Sequence, residues 1–434
     1  MSGWTLAVIA GVVLAYALVS RRLDRTPITA AIFFVSCGLV FGNKGLGWIG
    51  LGARSESVRL LAEATLTLVL FADAARIDLH ALRKEYLVPA RLLGIGLPLT
   101  ILAGFGLAAG LFRELSLGEA LLLAIILAPT DAALGQAVVT DQRLPSRIRQ
   151  GLNVESGLND GICVPLLFIA LALSGSEAHT LSNHGAFAIV ENAIGYGLLF
   201  GVVCGAAGAY LLRFGRGREL TDAAWMQVVP VGTAALAYGL ATPLGGSGFI
   251  AAFVGGCTFG AVLRTDEGTT LLLEELGGLA NAGTFIVFGA AFVGPYLSKL
   301  TWTAALYGVL SLTVARMLPV AAAFAGTRAR LPTVAFAGWF GPRGLASMVF
   351  TVIVLDETNL PYDSTIAVVV VFTIVLSVYA HGLSSRPLTR RYATWYRAHP
   401  RDRRPAMEAV HAEPQRWRRP PPTPDRDVEL RGSR

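Results

Sequence analysis

Seven ionisable residues, Glu63, Asp73, Asp131, Glu155, Asp160, Arg316 and Arg343, fall inside apolar stretches long enough to be buried in a bilayer, and Glu191 lies near the outer end of another. At membrane depth such a side chain costs several kcal/mol unless it is paired or faces water, so each is a candidate for function. Three of these stretches are unusual: Ala128-Pro129-Thr130-Asp131, Glu155-Ser156-Gly157-Leu158-Asn159-Asp160, and Gly341-Pro342-Arg343-Gly344. On a helix Glu155 and Asn159 stack on one face, and Ser156 and Asp160 form a second column about 100° around. The first column is expected to pair ions and the second to bind them. Pairing Glu155 with Arg343 leaves Asp131 and Asp160 uncompensated. Two facing carboxylates in a poorly hydrated place cannot both be comfortably ionised without a cation, so the pair is expected to titrate as one unit and to hold either a proton or a metal ion.

The donors select the ion. Asp131, Asp160, the Ser156 and Thr130 hydroxyls and carbonyls freed at the Pro129 break make an all-oxygen shell suited to a hard cation. His80, His179, His184, His381, His399 and His411 read as loop, interface or tail residues, so zinc and copper are disfavoured. Cys37, Cys163, Cys204 and Cys257 read as small buried hydrophobes. No cofactor is expected.

The elements that position these groups follow from composition. The 434 residues are 54% hydrophobic and 15% charged, with a mean hydropathy of +0.58, which excludes a water-soluble globule. Thirteen stretches can cross a bilayer core, which needs about 20 apolar residues per helix: 4–20, 27–41, 57–75, 87–112, 117–140, 147–174, 186–213, 223–241, 246–263, 271–293, 301–325, 332–355 and 363–384. The expected architecture is all-α and polytopic, with spans 1–6 and 8–13 as inverted repeats. The fifth and twelfth spans are broken at mid-membrane by Pro129 and by Gly341-Pro342, at corresponding positions of the two repeats, which points to a transporter binding site. Arginine is concentrated in alternate loops, at Arg21, Arg22, Arg25, Arg76, Arg143, Arg147, Arg149, Arg213, Arg216 and Arg218, which predicts an external N-terminus and a cytoplasmic C-terminus in the plasma membrane.

Residues 1–385 form the membrane domain in this reading, and residues 386–434 a basic, Pro/Arg-rich, disordered cytoplasmic tail whose removal from residue 390 leaves transport intact. The whole net charge of +7 sits in that tail, which excludes a nucleic-acid-binding face. Gly197, Gly201 and Gly205 repeat every fourth residue and predict a close helix contact, within the fold in preference to a dimer interface.

Thr130-Asp131 on a broken fifth helix, Glu155 to Asp160 on the sixth and Gly341-Pro342-Arg343-Gly344 on a broken twelfth resemble the motifs of the monovalent cation/proton antiporters. They are most similar to the Asn-Asp branch, which includes NhaP-type proteins and animal Na+/H+ exchangers. The resemblance extends over residues 4 to 384. It implies a homodimer, each subunit having a dimerisation part and a core that moves like an elevator. It implies that Asp131 and Asp160 bind Na+ or a proton, with Ser156 and Thr130 completing the Na+ shell. Asn159 and a Glu155–Arg343 ion pair then brace the crossed helices, and Asp73 is an accessory acid acting through water or lining the inner funnel. The Asn at 159 implies electroneutral exchange of one Na+, or Li+, for one proton. The partners expected are thus Na+, H+ and membrane lipid.

Other classes fit less well. A membrane hydrolase using Asp131 and Asp160 lacks a metal motif, a Gly-x-Gly-Asp sequence and a Ser/His pair at membrane depth, so the chain is not expected to be an enzyme. A channel lacks a filter-like loop. A K+/H+ antiporter of the same fold is the serious competitor.

Overall fold

In a computed structural model the described residues are 2–23, 25–77, 86–131, 133–174, 183–220, 222–263, 268–357, 360–399 and 408. His80, His179 and His411, and nearly all of the tail beyond residue 399, lie outside them, as does the side chain of His184. Among the described residues there is no strand, only a single bridge between Gly42 and Ile49.

Helix occupies each of the stretches expected to span. In order these are α1 (Gly3–Leu23), α2 (Ala30–Phe41), α3 (Glu56–Ala75), α4 (Leu87–Leu111), α5 (Leu117–Ile126), α6 (Gln136–Val139), α7 (Ser146–Ser174) and α8 (Asn183–Gly217). There follow α9 (Ala223–Ala241), α10 (Gly248–Leu263), α11 (Leu271–Leu297), α12 (Trp302–Leu312), α13 (Val314–Ala323), α14 (Leu331–Trp339), α15 (Leu345–Glu357) and α16 (Asp363–Ala398). Among the described residues eight helical stretches are long and apolar enough to cross a membrane, and α2, α5, α10 and most of α15 are shorter apolar helices.

Two of the short ones are halves of broken spans. α5 starts at a capping box in which Ser116 and Glu119 satisfy each other's backbone N–H groups. It stops ahead of Pro129, which has no N–H to continue the ladder. α14 likewise stops before Gly341-Pro342, and the chain turns into α15 after Gly344. The two breaks cross and touch, the Asp131 N–H donating to the Pro342 carbonyl at 2.7 Å. This contact answers the rule that irregular backbone at membrane depth has to find its partners inside the protein.

The glycine row on α8 packs within the fold. A Cβ added at Gly197 or Gly201 would approach Ile250 or Val254 of α10 to 2.8 and 2.7 Å, and one at Gly205 would run into the Gly255 carbonyl. At the N-terminal end of α3, Arg59 pairs with Glu63 at 2.7 Å and with Asp356 of α15, while Arg54 pairs with Asp363 of α16.

Two features differ from the sequence expectation. α16 runs through Pro387 to Ala398, past the boundary drawn at 385. It carries His381 into the interior, where one ring nitrogen lies 2.9 Å from the Trp339 carbonyl and the other 3.0 Å from that of Ser377, so this histidine is no loop or interface residue. Glu408 is also buried: its carboxylate accepts from the Arg330 N–H at 3.0 Å and from the Thr333 hydroxyl at 2.7 Å, capping the start of α14.

Candidate functional site

The crossing of the two breaks brings opposite charges to opposite helix ends. α5 ends with unpaired carbonyls, the negative end of its dipole, and α15 begins with unpaired N–H groups, the positive end. Arg343, from the break of the second pair of half-helices, donates through Nη1 to the carbonyls of Ala128 and Pro129 at 2.5 and 3.0 Å, at the end of the first pair. Asp131, from the first break, accepts the Leu345 N–H at 3.1 Å on Oδ2, at the start of α15. Its other oxygen accepts the Ala133 N–H at 2.8 Å. Each broken span therefore supplies the charge that stabilises the other. Gly344 is required here, because a side chain on it would collide with the Asp131 carboxylate.

Two serines complete the crossing. Ser377 of α16 accepts the Arg343 N–H at 2.7 Å, and Ser347 of α15 donates to the Ile126 carbonyl at 2.6 Å. Neither was singled out from sequence; the signal for Ser347 was its position one turn after Arg343.

α7 passes alongside with its two columns. Ser156 Oγ donates to the Thr130 carbonyl at 2.5 Å, and Asn159 Nδ2 donates to Thr130 Oγ1 at 2.7 Å. The Ser156 proton is thus directed to the carbonyl, and the remaining lone pairs of Ser156 and Thr130 are acceptors. Thr130, Ser156, Asn159 and Asp160 are all buried. Thr130, Ser156 and Asn159 are joined directly, whereas the Asp131 carboxylate is held on α15 and Asp160 stands one turn along α7 from Ser156. Asp73 of α3 reaches the same helix from another side: a Cβ built on Gly157 would lie 3.5 Å from Asp73 Cβ.

Glu155 is ion-paired, but its partner is Arg316 and not Arg343. Arg316 of α13 meets both carboxylate oxygens of Glu155, at 2.5 and 2.8 Å, and both side chains are only 2% exposed. The reason is geometric. Arg343 is held at the break by the carbonyls that Pro129 leaves free, while α13 turns Arg316 inward at the level of Glu155. Arg316 was visible in the sequence as an unexplained buried charge, and that was the signal for its role.

The charged residues around the crossing are therefore three acids, the half-buried Asp131 and the buried Glu155 and Asp160, and two buried arginines, Arg316 and Arg343, a formal charge of −1 with all ionised. Among the described residues no cluster of three or more His, Cys, Asp and Glu side chains is arranged as a metal site.

Three comparisons bear on this arrangement. The profile of the family described as "Sodium/hydrogen exchanger, transmembrane" matches residues 8–391. Among curated relatives, the Na(+)/H(+) antiporter of Saccharomyces cerevisiae is 25% identical over 354 residues, covering 74% of this chain and 34% of that protein. The K(+)/H(+) antiporter NhaP2 of Shewanella oneidensis is 24% identical over 376 residues, 85% of this chain and 63% of that protein. The chain thus spans between about a third and two thirds of the length of such relatives. Of solved structures, the sodium proton antiporter MjNhaP1 from Methanocaldococcus jannaschii superposes with a TM-score of 0.69 at 20% identity, over 87% of this chain and 98% of that one, so the fold is the same. With crossed broken helices, an antiporter fold and a profile match over nearly all of its apolar length, the chain belongs to the transmembrane sodium/hydrogen exchanger family.

Proposed function

We propose that this protein exchanges one Na+ for one proton across the plasma membrane, electroneutrally, at a site formed by Asp160 and Asp131 with Ser156 and Thr130. The observation that carries the proposal is the residual charge of −1 among the five charged residues around the crossing. One proton or one monovalent cation brings it to zero, and a divalent ion would overshoot. Both loaded forms then carry the same charge across the membrane, so the membrane potential does not drive the cycle directly. Ionised Asp160, the Ser156 and Thr130 hydroxyls and backbone carbonyls at the Pro129 break supply hard oxygen ligands for the cation. Asp160 takes the proton in the alternative state, and Asp131 contributes charge while holding the start of α15. Asn159 and the Glu155–Arg316 pair keep α7 against the break. Asp73 serves as an accessory acid.

The working unit we propose is a homodimer with its N-terminus outside and its C-terminus in the cytoplasm, the antiporter domain extending to the end of α16 at Ala398 and followed by a basic tail. The second reading, exchange of K+ for protons, is favoured by one observation: the relative covering 85% of the chain is described as a K(+)/H(+) antiporter.

The test uses purified protein in liposomes with an imposed pH gradient, followed by a pH dye, with Asp160→Asn as control. Collapse of the gradient on adding Na+ or Li+, absent in the variant and unaffected by membrane voltage, supports the proposal. A response to K+ alone selects the second reading. No ion-dependent response from pH 5 to 9 overturns both.

A further inference from the structure

Asp73 stands beside the ion-binding helix, yet its charge is already engaged. Arg76 Nη1 lies 3.1 Å from Asp73 Oδ1, and Arg76 Nε lies 2.8 Å from Glu274 Oε1 on α11. The hydroxyl of Thr270 donates to that same Glu274 oxygen at 2.9 Å. All three charged side chains are mostly buried, between 10 and 11% exposed. Across from them is Gly157, the residue after Ser156 and one turn before Asp160, close enough that a built Cβ would touch Asp73. On a helix, positions 157 and 160 lie within about 60° of each other, so Asp73 faces the side of α7 that carries Asp160.

The arrangement is a shared cation. One guanidinium neutralises two acids, one beside the binding helix and one farther off on α11. Glu274, held by Thr270, keeps Arg76 in place and draws part of its charge away from Asp73. A cation approaching Asp160 past Asp73 meets an acid whose field is partly cancelled by Arg76.

We propose that Arg76, anchored on Glu274, is a positioning residue that screens Asp73 and so sets the affinity of the transport site for its cation. The proposal rests on the exchange site assigned above. It makes opposite predictions for the two partners. Removing the Arg76 charge unmasks Asp73 and tightens binding. Removing the Glu274 charge leaves Arg76 wholly to Asp73 and weakens binding. A unit charge acting over roughly 10 Å through partly buried protein changes an apparent affinity by about three- to tenfold.

The experiment measures the half-saturating Na+ concentration and the maximal rate in the liposome assay at fixed pH for the wild type, Arg76→Gln, Arg76→Lys, Glu274→Gln, Asp73→Asn and the Asp73→Asn/Arg76→Gln pair. The expected result is a half-saturating concentration about three- to tenfold lower for Arg76→Gln and higher by a similar factor for Glu274→Gln, with maximal rates within about twofold of wild type. Arg76→Lys should restore the wild-type value. In the Asp73→Asn background the Arg76→Gln effect should be diminished, since coupled groups are not additive. Shifts of the same sign for Arg76→Gln and Glu274→Gln, effects on maximal rate alone, or an undiminished Arg76→Gln effect without Asp73 overturn the inference while leaving the exchange site standing. If Arg76→Gln does not fold, Glu274→Gln still decides the sign, and Arg76→Lys still tests whether the charge alone suffices. A wild type without ion-dependent exchange overturns the inference together with the site.

Discussion

Replacing Arg316 by Ala should destabilise the protein severely, and the structure says by how much and through which partner. The guanidinium meets both oxygens of Glu155 in a place where both side chains are 2% exposed. Deleting it leaves a buried carboxylate without its counter-charge, which costs about 3–5 kcal/mol. Removing the Glu155 charge as well, in Arg316→Ala/Glu155→Gln, should recover much of that loss. The coupling between the two substitutions is then on the order of 2 kcal/mol or more, beyond the few tenths expected for independent sites. Arg343→Ala should also destabilise, because charge-assisted bonds to the Ala128 and Pro129 carbonyls are lost, at about 1.5–3 kcal/mol each. Its coupling to Glu155→Gln should be much smaller. The assay is thermal unfolding of detergent-purified variants at one scan rate, with the double-mutant cycles run in parallel. Strong coupling of Glu155 to Arg343, or none to Arg316, would refute the pairing.

Asp160→Asn should abolish ion-dependent dissipation of a pH gradient while the protein still inserts and purifies, because the charged residues around the crossing then carry no residual charge for a cation to balance; full transport by this variant would end the charge argument. Gly205→Ala should loosen the packing of α8 on α10 and lower stability by about 1–3 kcal/mol, read as a drop in melting temperature, since the new methyl group runs into the Gly255 carbonyl. Burial of the Asp141 carboxylate works to raise its pKa, but hydrogen bonds and charge attraction from Arg143 outweigh it and hold the group below its ordinary 3.8. A depressed folded pKa stabilises above the unfolded value and is lost as pH falls through the folded one, so Asp141→Asn should lose about 1 kcal/mol or less at pH 7 and converge with wild type once the pH has fallen through the folded pKa. Truncation after residue 399 should cost about 1 kcal/mol relative to truncation after residue 412, because only the longer chain keeps the Glu408 cap on α14, and equal melting temperatures would count against that cap.

The helices and their breaks were legible because their signals are local. Pro129 and Gly341-Pro342 interrupt apolar stretches by simple backbone chemistry, and the columns on α7 follow from helical spacing alone. The partner of Glu155 was not legible. Two buried arginines were available, and choosing between them depends on how α13 approaches α7 and on which arginine the freed carbonyls at Pro129 hold. Arg343 is claimed by that break, so the pairing written into the sequence argument fell to Arg316. The end of α16 was missed for another reason. The segment from residue 386 reads as a basic, Pro/Arg-rich solvated tail, yet the helix continues through Pro387 to Ala398, and the added turns bring the Tyr392 hydroxyl within 2.9 Å of that of Thr333. Glu408 lies in a tail whose composition speaks for solvation, and no periodic pattern marks one acid there as a cap.

The exchange of charges between the two broken spans also has a consequence in time. Asp131 and its carbonyl neighbours leave the ribosome 211 residues before Pro342, whose carbonyl and flanking residues satisfy them. At roughly 5–20 residues per second that gap lasts about 10–40 s. During it the N-terminal half sits in the membrane with an unfinished break, its free carbonyls and carboxylate served only by water or by the insertion machinery. Neither half can complete its own broken helix. The chain should therefore behave in biogenesis as two dependent fragments: residues 1–221 and 222–434 made separately should each be degraded, and made together they should protect one another.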